Sequence, residues 1–86
     1  MGQNAKENIV RVIPVDLTTT DYEPSGCFFI RSGAGGVIKY CTCSNDDDHF
    51  IIKTLDPSAK FDDPEYCRKI FKDTTTATEI YAGYGV

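Results

Sequence analysis

The chain has no run approaching the roughly twenty consecutive apolar residues that a membrane-crossing helix needs. It is also poor in positive charge, with nine Lys and Arg against thirteen Asp and Glu and a net charge of -4. A phosphate-backbone binder needs a concentrated basic face, so neither nucleic acid nor membrane is an expected partner. Histidine occurs once, as His49, beside an acidic turn. That is a thin basis for acid–base or nucleophilic catalysis, and the expectation is no enzyme and no catalytic residue. The opening residues, Met1 to Asn8, are polar and carry no apolar signal segment. Synthesis in a reducing cytoplasm is the expectation, with Cys27, Cys41, Cys43 and Cys67 serving mainly as small buried hydrophobes rather than as disulfides.

What is present is extended-chain chemistry. Eighty-six residues make one domain, and a chain of this size buries only about 60–65% of its unfolded surface, so its core is small. Residues 1–7 read as a loose arm and residues 8–86 as a single β domain. Asn8–Val15 is β-branched enough for a first strand, which Pro14 either confines to an edge or ends near that position because proline has no ladder donor. Asp16–Gly26 reads as an irregular connection anchored by Leu17 and Tyr22. Cys27–Arg31 and Val37–Cys43 read as strands of a hairpin reversing at Ser32–Gly36, where three glycines permit positive φ. Phe28, Ile30, Ile38 and Tyr40 then share one face. A second reversal at Ser44–Asp48 leads to a strand at His49–Leu55, with Phe50 and Ile52 expected inside. Asp56–Pro64 is a proline-punctuated loop, with at most one helical turn at Asp56–Ser58. Strands at 67–72 and 77–84, joined by the threonine-rich turn 73–76, close the chain as a hairpin. The expected fold is all-β: a single small antiparallel sandwich or barrel of about six short strands.

Chemical motifs are weak. Cys41-x-Cys43, His49 and Cys67 offer four metal-ligand types, but a pair spaced by one residue in a strand points to opposite faces. Asp46-Asp47-Asp48 lacks the spaced oxygens and glycine of a calcium loop. Gly33–Gly36 lies between strands without the following Lys-Ser/Thr of a phosphate loop. No metal and no cofactor are expected.

Apolar residues are in excess of one small core. Phe29, Ile51, Phe71 and Tyr81 cannot all join Phe28, Ile30, Ile38, Phe50, Ile52 and Ile80 inside it. Phe29, Phe71 and Tyr81 are therefore the candidate interface residues, turned toward another copy or a partner.

Three segments, in order, resemble the spike base proteins of bacteriophages and gene-transfer agents. These are Val12-Ile13-Pro14-Val15-Asp16, the run from Cys27 through Gly33-Ala34-Gly35-Gly36 to Lys39, and the closing Phe71-Lys72-Asp73-Thr74-Thr75-Thr76-Ala77-Thr78-Glu79-Ile80-Tyr81. The resemblance implies a non-enzymatic virion structural protein, made in host cytoplasm and located in the virion. Such a protein would be a homo-oligomer that anchors a spike or fibre, in contact with a capsid, tail or fibre protein. Two other readings of the same residues are a capsid decoration or host-adaptor module, and a small cysteine-based metal-binding protein.

Overall fold

A fourteen-residue strand organises the molecule. The computed structural model describes residues 9–57, 61 and 66–85, and within them the chain forms five strands and no helix. These are β1 (Ile9–Pro14), β2 (Phe29–Thr42), β3 (Ile51–Leu55), β4 (Cys67–Ile70) and β5 (Thr78–Gly85). All pairings are antiparallel, in the order β1-β5-β2-β3, with β4 also on β2. The sheet is not closed, and it has five strands where six were expected. The arm expected at residues 1–7 lies outside the described residues.

The difference in strand number arises at the glycine run. The expected reversal is instead a bend inside β2, with Gly35 and Gly36 at φ +79° and +126°. The half of β2 before the bend pairs with β5, and the half after it pairs with β3 and β4. A side chain at Gly36 would place Cβ 2.6 Å from Ala77 Cα, and one at Gly35 would sit 2.9 Å from the Leu55 carbonyl oxygen. Glycine is thus required twice over, by dihedral angle and by close backbone approach. Ser32, 1% exposed, fills the register shift: its Oγ donates to the Thr78 carbonyl at 2.6 Å and accepts from the Gly35 N–H at 2.8 Å.

The bend also accounts for the closing segment. β4 and β5 do not pair with each other as a hairpin; both run along β2 in succession, β4 against Tyr40–Thr42 and β5 against Phe29–Gly35. Between them the threonines follow β2 around its corner. The Lys39 N–H donates to Thr75 Oγ1 at 3.0 Å and the Val37 N–H to Thr76 Oγ1 at 3.1 Å, so hydroxyls stand in for ladder carbonyls. The Thr76 and Ala77 N–H groups in turn donate to the Val37 carbonyl. Thr74 takes φ +76°, an uncommon conformation for a β-branched residue.

Phe28, Ile30, Ile38, Tyr40, Cys67, Ile70, Ala77, Ile80 and Ala82 form the core between the two halves of β2, with Leu17, Tyr22, Ile51, Leu55 and Tyr84 packed against it. The face assigned to Phe28, Ile30, Ile38 and Tyr40 holds. Phe50 and Ile52 do not face inward; they are 44% and 54% exposed. Tyr40 faces the core and pairs with Ile51. Cross-strand partners share a face, so Ile51 goes in and Ile52 out. The cysteines divide. Cys41 and Cys67 lie outside any disulfide and are buried as small hydrophobes, whereas Cys27 and Cys43 are joined by a disulfide, contrary to the expectation of reduced thiols.

Two substitutions with opposite signs test this backbone. Gly36→Ala is expected to lower unfolding stability by about 2 kcal/mol or more through strain at positive φ and collision with Ala77. Thr74→Gly is expected to raise it by up to about 1 kcal/mol by relieving the left-handed threonine. Urea denaturation of the two variants and the parent measures both.

Candidate interaction surfaces and the charged cluster

Strand register sorts side chains onto two outward faces. Across β1, β5 and the first half of β2, Pro14 pairs with Tyr81 and Tyr81 with Arg31, while Val12 pairs with Gly83 and Gly83 with Phe29. The inward set alternates with these, as Ile30 opposite Ala82 and Ser32 opposite Ile80. Phe29 and Tyr81 therefore point away from the core, yet their surroundings differ. Phe29 is only 7% exposed because the Tyr66 ring stacks on it at 4.6 Å, so it is not an open interface residue. Tyr81 is half-buried beneath the Arg31 guanidinium, 4.5 Å from its ring centroid, with Phe61 5.2 Å from the same cation. Val12 and Tyr66, at 44% and 42% exposed, complete this face.

The second face lies across β3, the latter half of β2 and the start of the threonine segment. Lys39 pairs with Ile52 and Cys41 with Lys69, so these share the outward side. Phe71, half-buried, meets Phe50 edge-on at 6.3 Å, and the Lys39 ammonium sits 4.1 Å from the Phe50 centroid and 4.8 Å from that of Phe71. Exposed Phe50 and Ile52 thus extend the patch around Phe71, a contribution hidden in sequence by the one-residue difference in face.

A charged cluster adjoins this second face. Arg68 donates through Nη1 to Glu23 at 2.8 Å, through Nη2 to Asp47 at 2.7 Å and through Nε to the Asn45 carbonyl at 3.1 Å. Lys69, 8% exposed, reaches Asp47 at 2.8 Å and lies 3.6 Å from Asp21 and from Glu23. The hydrogen bond from Arg68 and then that from Lys69 hold the Asp47 carboxyl below the usual carboxylate range. Cys41 lies under the turn with its Sγ donating to the Asp46 carbonyl at 3.3 Å, and burial pushes its thiol pKa up. These contacts fasten the turn at 44–48 to β4 and to the segment holding Glu23; an open hollow lined by Ser44–Asp48 and Arg68 lies over them.

His49 is exposed, with Nδ1 2.6 Å from Asp46 Oδ1. Hydrogen bonding to Asp46 raises its pKa above the ordinary value of 6.5 and lowers that of Asp46. At the other end, the hydroxyls of Tyr22 and Tyr84 are 2.6 Å apart, and burial, then this hydrogen bond, pushes the Tyr84 pKa up. Among the described residues no group of three or more His, Cys, Asp and Glu gathers in a way that could hold a metal ion, and no helix is long and apolar enough to cross a membrane. Comparison with protein-family models, with curated proteins and with solved structures gives no match.

The His49–Asp46 pair has a defined pH window. The raised histidine contributes stability fully below its unfolded pKa and loses it as pH rises through the folded value. The depressed aspartate contributes above its unfolded pKa and loses that contribution as pH falls through its folded value. The contribution therefore spans the interval between the carboxylate range and a point above pH 6.5. An NMR titration of the His49 ring is expected to give a midpoint above 6.5, returning toward that value in Asp46→Asn.

Proposed function

We propose that the chain is a non-enzymatic virion component, a self-associating β module that forms the base anchoring a spike or fibre. The observation that carries this reading is the aromatic and aliphatic character of both outward faces. Tyr66 and Val12 lie on the face of Tyr81, and Phe50 and Ile52 lie around Phe71. Rings stabilised by an overlying cation present large contact area at low conformational cost, as interface residues do. The ordered similarity to spike base proteins supplies the biological setting, and an acidic chain suits protein partners better than nucleic acid.

Association through faces is favoured over strand addition at β1. The Val15 N–H bonds to the Ile80 carbonyl, and continuing that register gives Val12 and Pro14 the main-chain positions on the edge that no described strand covers. Proline offers no donor there, Val10 bulges between Ile9 and Arg11, and Arg11 carries charge. These are the usual devices that discourage edge-to-edge pairing. A capsid decoration or host-adaptor module would use the same faces. The metal-binding reading has two thiols fewer to draw on, because Cys27 and Cys43 are bonded to each other.

Size-exclusion chromatography with light scattering is expected to find a discrete oligomer, and Tyr81→Glu is expected to shift it toward monomer while leaving the circular dichroism of the sheet intact. A folded monomer at high concentration that binds no neighbouring structural protein would end the proposal; normal assembly of Tyr81→Glu would reject that face.

A further inference from the structure

Three of the four cysteines lie where β4 enters the sheet, and two of them close around it. Cys27 and Cys43 flank the two ends of β2 and are bonded to each other with Cα atoms 6.1 Å apart. Cys67, the first residue of β4, lies between the chain positions next to them. On one edge it exchanges two main-chain hydrogen bonds with Phe28, at 2.7 and 2.8 Å, and on the other it pairs with Thr42. The Cys43 N–H donates to the Tyr66 carbonyl at 2.9 Å, and Tyr22 repeats the two-bond exchange with Ile70. The shortest strand of the sheet is thus inserted between two ends of chain that the disulfide joins. Its first side chain, the Cys67 thiol, is sealed inside at 1% exposure.

We propose that the Cys27–Cys43 bond is a redox latch on β4. In the oxidised chain β4 is held between the ends of β2. A small-molecule dithiol or glutathione-type thiol reduces the latch: the protein S–S bond breaks to give two cysteine thiols, and two reductant thiols supply the hydrogens and electrons and become a disulfide. The ends of β2 can then separate, and β4 leaves first. Besides its ladders and the core contacts of Cys67 and Ile70, it is fastened by the Arg68 and Lys69 ion pairs to partly exposed carboxylates and by the Arg68 bond to the Asn45 carbonyl. β5 stays, since a full strand pairs along each of its edges, β1 on one and the first half of β2 on the other, whereas β4 has β2 on one edge and only the isolated bridges to Tyr22 and Phe28 on the other. Opening uncovers the Cys67 thiol together with the main-chain edges of Phe28 and Thr42. A chain made under reducing conditions would carry β4 loosely and be clamped on reaching an oxidising environment.

The test compares full-length protein, oxidised and anaerobically reduced with dithiothreitol, by iodoacetamide labelling of Cys67 and by amide hydrogen exchange. Reduction is expected to speed Cys67 labelling about 100-fold, the order expected when a loop of this length is no longer cross-linked. It is expected to strip protection from the amides of Cys67 and Ile70 while those of β5 keep theirs. Cys27→Ser/Cys43→Ser should reproduce the reduced pattern without reductant; if that variant does not fold, the comparison of oxidised and reduced wild type decides alone. Unchanged Cys67 labelling, equal loss of protection in β4 and β5, or four titratable thiols in the denatured oxidised protein would each overturn the latch.

Discussion

The bend of β2 is the constraint on which the remaining structure depends. Cys27 and Cys43 are 16 positions apart, a stretch that would span roughly 50 Å if extended, yet their Cα atoms are 6.1 Å apart. Only a strand folded back through Gly35 and Gly36 satisfies both facts. The core is what lies between its two halves: Phe28 and Ile30 from one, Ile38 and Tyr40 from the other. Closing a loop of this length with a disulfide removes about 3 kcal/mol of unfolded-state freedom, a large fraction of the stability of so small a domain.

Everything that borders the bend is adapted to it. The segment from β4 to β5 must stay antiparallel to β2 on both sides of a corner where a regular ladder cannot continue. Thr75 and Thr76 solve this locally, since a threonine hydroxyl can accept a main-chain N–H without requiring strand dihedrals of its neighbours. Ser32 does the same on the other side of the register shift, and as a buried hydroxyl it is satisfied as both donor and acceptor. Polar residues that read in sequence as turn formers are therefore ladder substitutes in the fold.

This explains how far the sequence could be read. Alternation exposed the shared inward face of Phe28, Ile30, Ile38 and Tyr40, the edge position of Pro14 and the apolar surplus beyond one core. The glycine run was legible as a place of positive φ, but a hairpin and a bend make the same local demand. What distinguishes them is the approach of Ala77 and Leu55, some twenty to forty positions away in the chain. The face of β3 turned on whether Phe50 or Ile51 begins the inward series, which pairing with Tyr40 decides. The outward direction of Tyr81 was readable from the excess of rings, whereas the shielding of Phe29 by Tyr66 depends on how the chain enters β4. Cys27 and Cys43 likewise become neighbours only once β2 is bent.

The accessible surface of 5030 Å² bears on what the outward rings are for. A monomeric globule of this mass is expected to expose about 5,000 Å², so total area alone gives no reason for the chain to associate. For the proposed association the reason lies in how that area is distributed. Arg31 over Tyr81, and Lys39 over Phe50 and Phe71, leave aromatic surface flanked by cations on a chain whose net charge is negative. Two copies meeting by the same face across a twofold axis would bring Lys39 toward Lys39, or Arg31 toward Arg31, an unfavourable approach. A head-to-tail contact avoids that repulsion by setting a cation-bearing face against a different surface. Contacts of that kind close into rings when the rotation permits, a geometry that would suit the proposed base.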